Sequence, residues 1–293
     1  MGWQERIRCT QPGDVRNSRR SLNLSDIGPV VLVGAGKMGV ALARGWINGG
    51  LPPDRLVMCD PQPNEAALAF AADHGLRLLA SPLGVFTHVL VLAVKPQVIY
   101  DVMAQIRPVV GGQTLVISIA AGIALDAIAD ALGTQRVVRT MPNTPAQIGR
   151  GISGAVGLSI SEEDEQVADA LLRAAGQVLW FRNEASIDAV TAVSGSGPAY
   201  VFHMVEALAA AAERQGFGPE EAMQLARATV TGAAALLDAE PGTTATQLRI
   251  NVTSPKGTTA AALEVLMASD GLTQLMDRAV MAARRRSEEL GRA

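Results

Sequence analysis

The chain predicts an α/β protein with a mostly parallel sheet covered by helices on both faces, followed by a second domain made of helices alone. Three observations carry this. From Pro29 to about Phe181, short β-branched runs alternate with helical patterns, as in a series of βαβ units. The first run leads directly into a G-x-G-x-x-G turn and then a helix. After Arg182 the strand patterns stop, and helical periodicity continues to the end of the chain.

The runs expected as strands are Val30–Val33, Leu56–Cys59, Leu76–Leu79, Val89–Val94, Leu115–Ile119 and Val137–Met141, with further strands at Gly151–Leu158 and Gln177–Phe181. Their nearly unbroken apolarity is what strands buried on both faces show. Helices are expected between them over Val40–Ile47, Glu65–Asp73, Val98–Ile106, Leu125–Leu132 and Glu162–Ala175. The later helices are expected at Pro198–Arg214, Pro219–Leu237, Thr244–Ile250, Pro255–Met267 and Leu272–Leu290. The division is therefore a disordered extension over 1–27, a Rossmann-type dinucleotide domain over 28–182 and a helical substrate and dimerisation domain over 183–293. Alanine-rich, apolar stretches such as Ala207–Ala212 suit helices buried against a second subunit, so a homodimer through these helices is expected over a compact monomeric bundle.

Bulk properties exclude several classes. The 293 residues are 48% hydrophobic and 18% charged, enough for a large core. A net charge of −3, with three tryptophans, two tyrosines and five phenylalanines, argues against nucleic acid as a partner. No run is long enough to span a membrane, and the arginine-rich first residues lack the apolar stretch of a secretory signal, which leaves the cytoplasm as the expected compartment. Cys9 and Cys59 imply no disulfide framework, and His74, His88 and His203 lack ligand spacing, so no metal site is expected.

Val33 runs into Gly34-Ala35-Gly36-Lys37-Met38-Gly39. In a dinucleotide fingerprint the first glycine allows the tight turn, the second lets the backbone approach the pyrophosphate, and the third lets helix and strand pack closely. Asp60, at the end of the second strand, is placed to accept from the adenosine ribose of NAD, while a 2′-phosphate would meet its charge; Arg55 nearby could offset that for NADPH, and Asp60 could instead cap a turn before Pro61. The loops Ala93-Val94-Lys95-Pro96 and Ala120-Ala121-Gly122 fall at strand ends, where an open α/β sheet binds its ligand.

With no zinc site and no evident His–Asp pair, a hydride-transfer substrate with an already activated carbon fits best, and a protonated imine is one. Asn251–Thr259 (NVTSPKGTT) opens a helix with hydroxyls and a glycine. Ser254 suits the N-cap and Pro255 the first helical position, giving a seat for a carboxylate and hence an α-imino acid, with the Thr259 hydroxyl available to the imine nitrogen.

The set GAGKMG, AVKPQ, SIAAG, MPNTP, SGSGPAY and VTSPKGTT, in this order, resembles the pyrroline-5-carboxylate reductases over about residues 28–290. The resemblance implies NADPH- or NADH-dependent reduction of 1-pyrroline-5-carboxylate to L-proline, and a dimer interlocked through the C-terminal helices, often built into larger rings. It implies cofactor contacts at Gly34 to Met38, Asp60, Val94, Lys95 and Ala121, with Asn251 and Glu184 near the nucleotide. It puts substrate contacts on Ser254, the turn backbone at Gly257, Thr258 and Thr259, with Thr259 at the ring nitrogen. The family usually has glycine at Lys256; a positive φ there would strain lysine by about 1–2 kcal/mol. A related imine or 3-hydroxyacid reductase, or an NAD-sensing protein without turnover, are the alternatives.

Overall fold

The computed structural model describes residues 22–291. The chain divides into two compact units, one reaching Gly195 and regaining the chain from Arg284, the other spanning Ser196–Ala283.

In the first unit the strands are β1 (Val30–Val33), β2 (Leu56–Cys59), β3 (Arg77–Leu79), β4 (Val89–Leu92), β5 (Leu115–Ser118), β6 (Val137–Met141), β7 (Gly151–Gly157) and β8 (Gly176–Trp180). They form one sheet in the order β3-β2-β1-β4-β5-β6-β7-β8. All neighbours are parallel except β6 and β7. The helices are α1 (Lys37–Asn48), α2 (Glu65–Asp73), α3 (Ile99–Ile106), α4 (Leu125–Leu132), α5 (Glu162–Arg173) and α6 (Ala185–Val190).

The pleat of β1 shows why its run is apolar throughout. Val30 and Leu32 enter a core with Val40, Leu42 and Trp46 of α1 and Leu171 of α5. Val31 and Val33 enter a second core with Ile99 and Met103 of α3 and Ile128 and Leu132 of α4. Alternate side chains thus serve opposite faces, and no position on the strand can be polar. Cys59 closes β2 in this second core, and burial pushes its thiol up to about 11, so it is an unreactive packed side chain.

Two boundaries differ from expectation. Residues 22–27, assigned above to a disordered extension, contain a 3₁₀ turn (Leu24–Asp26) with Leu24 and Ile27 buried; the rest of that extension lies outside the described residues. The sequence hides this because a single 3₁₀ turn has no periodicity. The unit boundary expected at 182 falls after Gly195, since α6 packs Ile187 into the second core and continues as a π-helical turn, Thr191–Gly195. The end of the last helix also returns to this unit, where the Ser287 hydroxyl donates to Asp188 Oδ1 at 2.7 Å.

The second unit holds α7 (Gly197–Glu213), α8 (Pro219–Ala239), α9 (Ala245–Asn251), α10 (Thr258–Leu266) and most of α11 (Leu272–Leu290). Within residues 196–283 only Ala209, Ala222 and Ala226 are buried. Large apolar side chains such as Phe202, Leu236, Leu237, Val252 and Val265 are exposed. Among the described residues, no helix is long and apolar enough to cross a membrane.

At the start of α5, Ser161 and Asp164 form a reciprocal capping box. Asp164 also takes a two-point bond from Arg136, Nε to Oδ2 at 3.2 Å and Nη2 to Oδ1 at 2.5 Å. Burial opposes the Asp164 charge, but the Arg136 bond and the Ser161 amide outweigh it and hold the carboxyl below its ordinary 3.8. A carboxyl depressed on folding stabilises the protein above its unfolded pKa, and that stability is lost as pH falls through the folded value. Asp164→Asn should cost about 2–3 kcal/mol at neutral pH. Thermal melts across a pH series should show this deficit constant above the ordinary carboxylate range and shrinking only below 3.8.

Candidate functional site

The strand order reverses at β1, which is flanked by β2 on one side and β4 on the other. Helices leaving β1 and β4 go to opposite faces, so the carboxyl ends of these two strands diverge into a crevice. The loops carrying Gly34–Gly39, Asp60–Asn64, Ala93–Lys95 and Ala120–Gly122 all follow strands at this edge.

The three glycines of the first loop have separate jobs. Gly34 has φ +101, its N–H donates to Cys59 O at 2.8 Å, and a Cβ there would lie 2.6 Å from Ala93 O. Gly39 faces the Gly34 carbonyl, where a Cβ would stand at 2.1 Å. Gly36 has nothing within 4 Å of its missing Cβ. It is exposed and is the N-cap of α1, which has no side-chain cap. The N–H groups of Lys37, Met38 and Gly39 lack intrahelical partners, and Val40 N–H is the first to bond back, to Gly36 O at 2.9 Å. An open patch of backbone donors at the positive end of a helix suits a pyrophosphate, so the residues present fit a dinucleotide.

The other cofactor positions are placed as follows. Asp60 Oδ2 accepts from Ala35 N–H at 2.8 Å and Oδ1 from Gln62 N–H at 2.9 Å, so its carboxylate is set against the glycine loop. Asn64 caps α2 through Ala67 N–H. Val94 is half-buried and Lys95 exposed beyond β4, with Lys95 opening a 3₁₀ turn at Pro96. Ala121 is half-buried beyond β5. Glu184 is otherwise engaged: its Oε1 accepts from Arg139 Nη1 at 2.7 Å and from Leu125 N–H at 2.8 Å. Arg139 is the residue the sequence reading passed over. It stands on β6 with a 6% exposed side chain and also reaches Asp188 at 3.6 Å; an arginine inside the apolar run VVRTM was the available signal.

The second unit carries the remaining positions. Ser254 is not the N-cap of α10; Gly257 is, with no side-chain cap. Residues Ser254–Gly257 instead make a turn closed by Gly257 N–H to Ser254 O at 3.1 Å. Pro255 stands at its second position and Lys256, with φ 60, at its third, the pattern of a type II turn. Lys256 is the only described residue other than glycine with positive φ. A left-handed residue cannot continue a helix, which is why α10 starts at Thr258, later than expected. A Cβ on Gly257 would meet Ser254 Oγ at 2.4 Å and Ser254 O at 3.1 Å, so a larger residue would force the serine side chain to turn away. Thr258 is exposed, Thr259 half-buried, and the first three amides of α10 have no intrahelical partner. Asn251, exposed at the end of α9, accepts from the Gln247 amide at 2.8 Å. Among the described residues no three His, Cys, Asp or Glu side chains converge as a metal site needs.

Fold and glycine loop together define a doubly wound, dinucleotide-dependent oxidoreductase. A family model for pyrroline-5-carboxylate reductase dimerisation matches residues 184–290, and one described as NADP oxidoreductase coenzyme F420-dependent matches 29–122. The pyrroline-5-carboxylate reductase of Vibrio alginolyticus is 38% identical over 89% of this chain and 97% of its own length. That of Pisum sativum is 38% identical over 91% and 97%. Among solved structures, a pyrroline-5-carboxylate reductase from Coxiella burnetii is 34% identical with a TM-score of 0.81, covering 90% of this chain and 98% of that one. One from Plasmodium falciparum with NADP bound is 27% identical with a TM-score of 0.76, covering 90% and 98%. The chain belongs to the pyrroline-5-carboxylate reductase family.

The glycines give a paired test. Gly36→Ala should leave the melting temperature nearly unchanged, because nothing occupies the space, and weaken nucleotide binding at least tenfold by closing the pyrophosphate approach. Gly39→Ala should instead lose about 1–3 kcal/mol of stability, despite the gain in helix propensity, because its Cβ collides with backbone. Thermal melts and equilibrium nucleotide titration separate the two.

Proposed function

We propose that this chain reduces 1-pyrroline-5-carboxylate to L-proline with NADH or NADPH. Membership of the family across both units supports the reading most, and the starts of α1 and α10, each a glycine N-cap with open amides, suit the anionic groups the reaction must hold.

In this reading the first turn of α1 binds the pyrophosphate, and Gly36 leaves room for it. The loops after β4 and β5, through Val94, Lys95 and Ala121, line the nicotinamide end. The bound nicotinamide supplies a hydride. The turn Ser254–Gly257 and the amides of Thr258 and Thr259 hold the substrate carboxylate by charge and main-chain donors. Thr259 Oγ1 accepts from the iminium N–H and so fixes the ring. As the imine carbon gains its new C–H bond, the C=N π pair becomes the nitrogen lone pair, and the positive charge disappears. No metal or strong acid is required for that step, only orientation.

We infer further that two copies pair through the exposed apolar faces of α7 to α11, and that such dimers can assemble into a larger ring. A unit with only three alanines buried has no core of its own, and surface of this kind is what an obligate interface covers.

Oxidation of NADH or NADPH by pyrroline-5-carboxylate, followed at the nicotinamide absorbance, tests the assignment; no turnover with either would sink it. Thr259→Val should lower kcat/KM by about 10–100-fold with the fold intact. Lys256→Gly should keep activity and add about 0.5–1 kcal/mol of stability, the relieved strain being partly offset by the freer unfolded chain. Sedimentation at micromolar concentration should find a dimer or a multiple of it, and a monomer at all concentrations would refute the pairing.

A further inference from the structure

The carboxylate of Asp60 is held in a defined position beside the glycine loop, and the cations that could neutralise it are occupied or lie elsewhere. We propose that this chain selects NADH over NADPH, and that Asp60 is the selecting residue, reading the free 2′-hydroxyl of the adenosine ribose. The proposal rests on the dinucleotide reading above.

Asp60 directly follows β2, at the carboxyl edge of the sheet. Its two oxygens accept from Ala35 N–H at 2.8 Å and Gln62 N–H at 2.9 Å, one in the glycine loop and one in its own loop. Each carboxylate oxygen has two acceptor sites, so one bond apiece leaves capacity for a ribose hydroxyl. The same two bonds stop the side chain from swinging aside. A hydroxyl there becomes a donor to a fixed acceptor. A 2′-phosphate would replace that donor with a dianion facing a fixed negative charge, in the part of the fold where NADP-binding sheets place an arginine.

The surroundings do not supply the arginine. Arg55, which precedes β2, donates to Ser25 O at 2.8 Å and Ile27 O at 3.0 Å, so it braces the N-terminal turn. The loop Asp60-Pro61-Gln62-Pro63-Asn64 contains no cation, and the Asn64 carbonyl caps α2. Arg77 opens β3 in register with Val57, towards the amino end of β2, and its charge is felt at the buried Cys59 thiol. Arg44, two turns into α1, stacks over the Phe70 ring of α2 at 5.1 Å. Lys37, exposed in the first turn of α1, is the cation nearest the loop in sequence, and it is the group NADPH would have to recruit.

Equilibrium titration, by calorimetry or nicotinamide fluorescence, reads binding without turnover. NADH should bind at least about tenfold tighter than NADPH, and ADP correspondingly tighter than 2′,5′-ADP, which isolates the adenosine half. Asp60→Asn, which keeps an acceptor for the loop, and Asp60→Ser should both bring the ratio towards one, chiefly by tightening NADPH. Equal or tighter binding of NADPH by the unaltered protein, especially with the advantage lost in Lys37→Gln, would overturn the proposal. So would an unchanged ratio in both Asp60 variants that still melt cooperatively, and so would binding of neither nucleotide. NADH binding with the expected ratio but no turnover of pyrroline-5-carboxylate would refute the substrate assignment alone and leave the selection standing.

Discussion

The backbone contact between the start of α1 and the end of β1 sets the geometry of everything around it. Gly39 lies against the carbonyl of Gly34, and Gly34 lies against the carbonyl of Ala93 beyond β4, each closer than a Cβ would permit. These contacts fix where α1 begins, and therefore where its unpaired amides point. They also bring Ala35 within reach of Asp60, so the carboxylate after β2 and the open amides at the start of α1 share one rigid frame. Two bare glycines thus govern the packing of α1, the direction of its open amides and the place of the Asp60 carboxylate together, and Gly36 between them has nothing within 4 Å of its missing Cβ.

The second unit follows a different physical logic. The sheet's helices find two cores, whereas α7 and α8 bury only three alanines and the remaining helices bury none within residues 196–283. Conformational entropy of about 1–2 kcal/mol per residue has to be offset by burial, and alanines alone supply little. Apolar side chains as large as Phe202, Leu236 and Leu237 left at the surface point to an interface as the missing term. The last turns of α11 show the chain using the first unit as an anchor, with Ser287 on Asp188 and Leu290 against Gly122.

Strands with both faces buried were legible because they admit almost no polar position: β1 and β2 begin and end where their apolar runs do. Helix α5 was legible in its start, since Ser161 and Asp164 carry a capping signal in plain sequence. What escaped was set by contacts distant in sequence. Leu24 and Ile27 are buried in the first core, in a turn whose Ser25 and Ile27 carbonyls accept from Arg55. The pairing of Glu184 with Arg139, forty-five residues earlier, leaves no local pattern to read. The expected boundary at 182 agrees with the start of the dimerisation-family match at 184, while the compact units divide only after Gly195, because α6 is helical, like the domain that follows, yet packs with the sheet. The glycine loop was the most legible part of the site, as its constraints are steric and local. The turn before α10 was half legible: its residues were found, but the cap was assigned three residues early because Ser-Pro imitates an N-cap followed by a first helical residue.

Lys256 accounts for that shift. In the type II form of this turn the third residue takes a positive φ, and Gly257 at the fourth sits close against Ser254. Neither neighbour can absorb the conformation in place of Lys256, so the strain of about 1–2 kcal/mol stays on the lysine. The chain bears that cost where a helix that began at Pro255 would avoid it. Such a helix, however, would bury the amides of Thr258 and Thr259 in its own hydrogen-bond ladder. Starting at Thr258 with an uncapped glycine leaves those amides free, and free amides at a helix start are the property a carboxylate site requires. The strain at Lys256 is therefore the structural counterpart of the open donors beside it, and the two persist together.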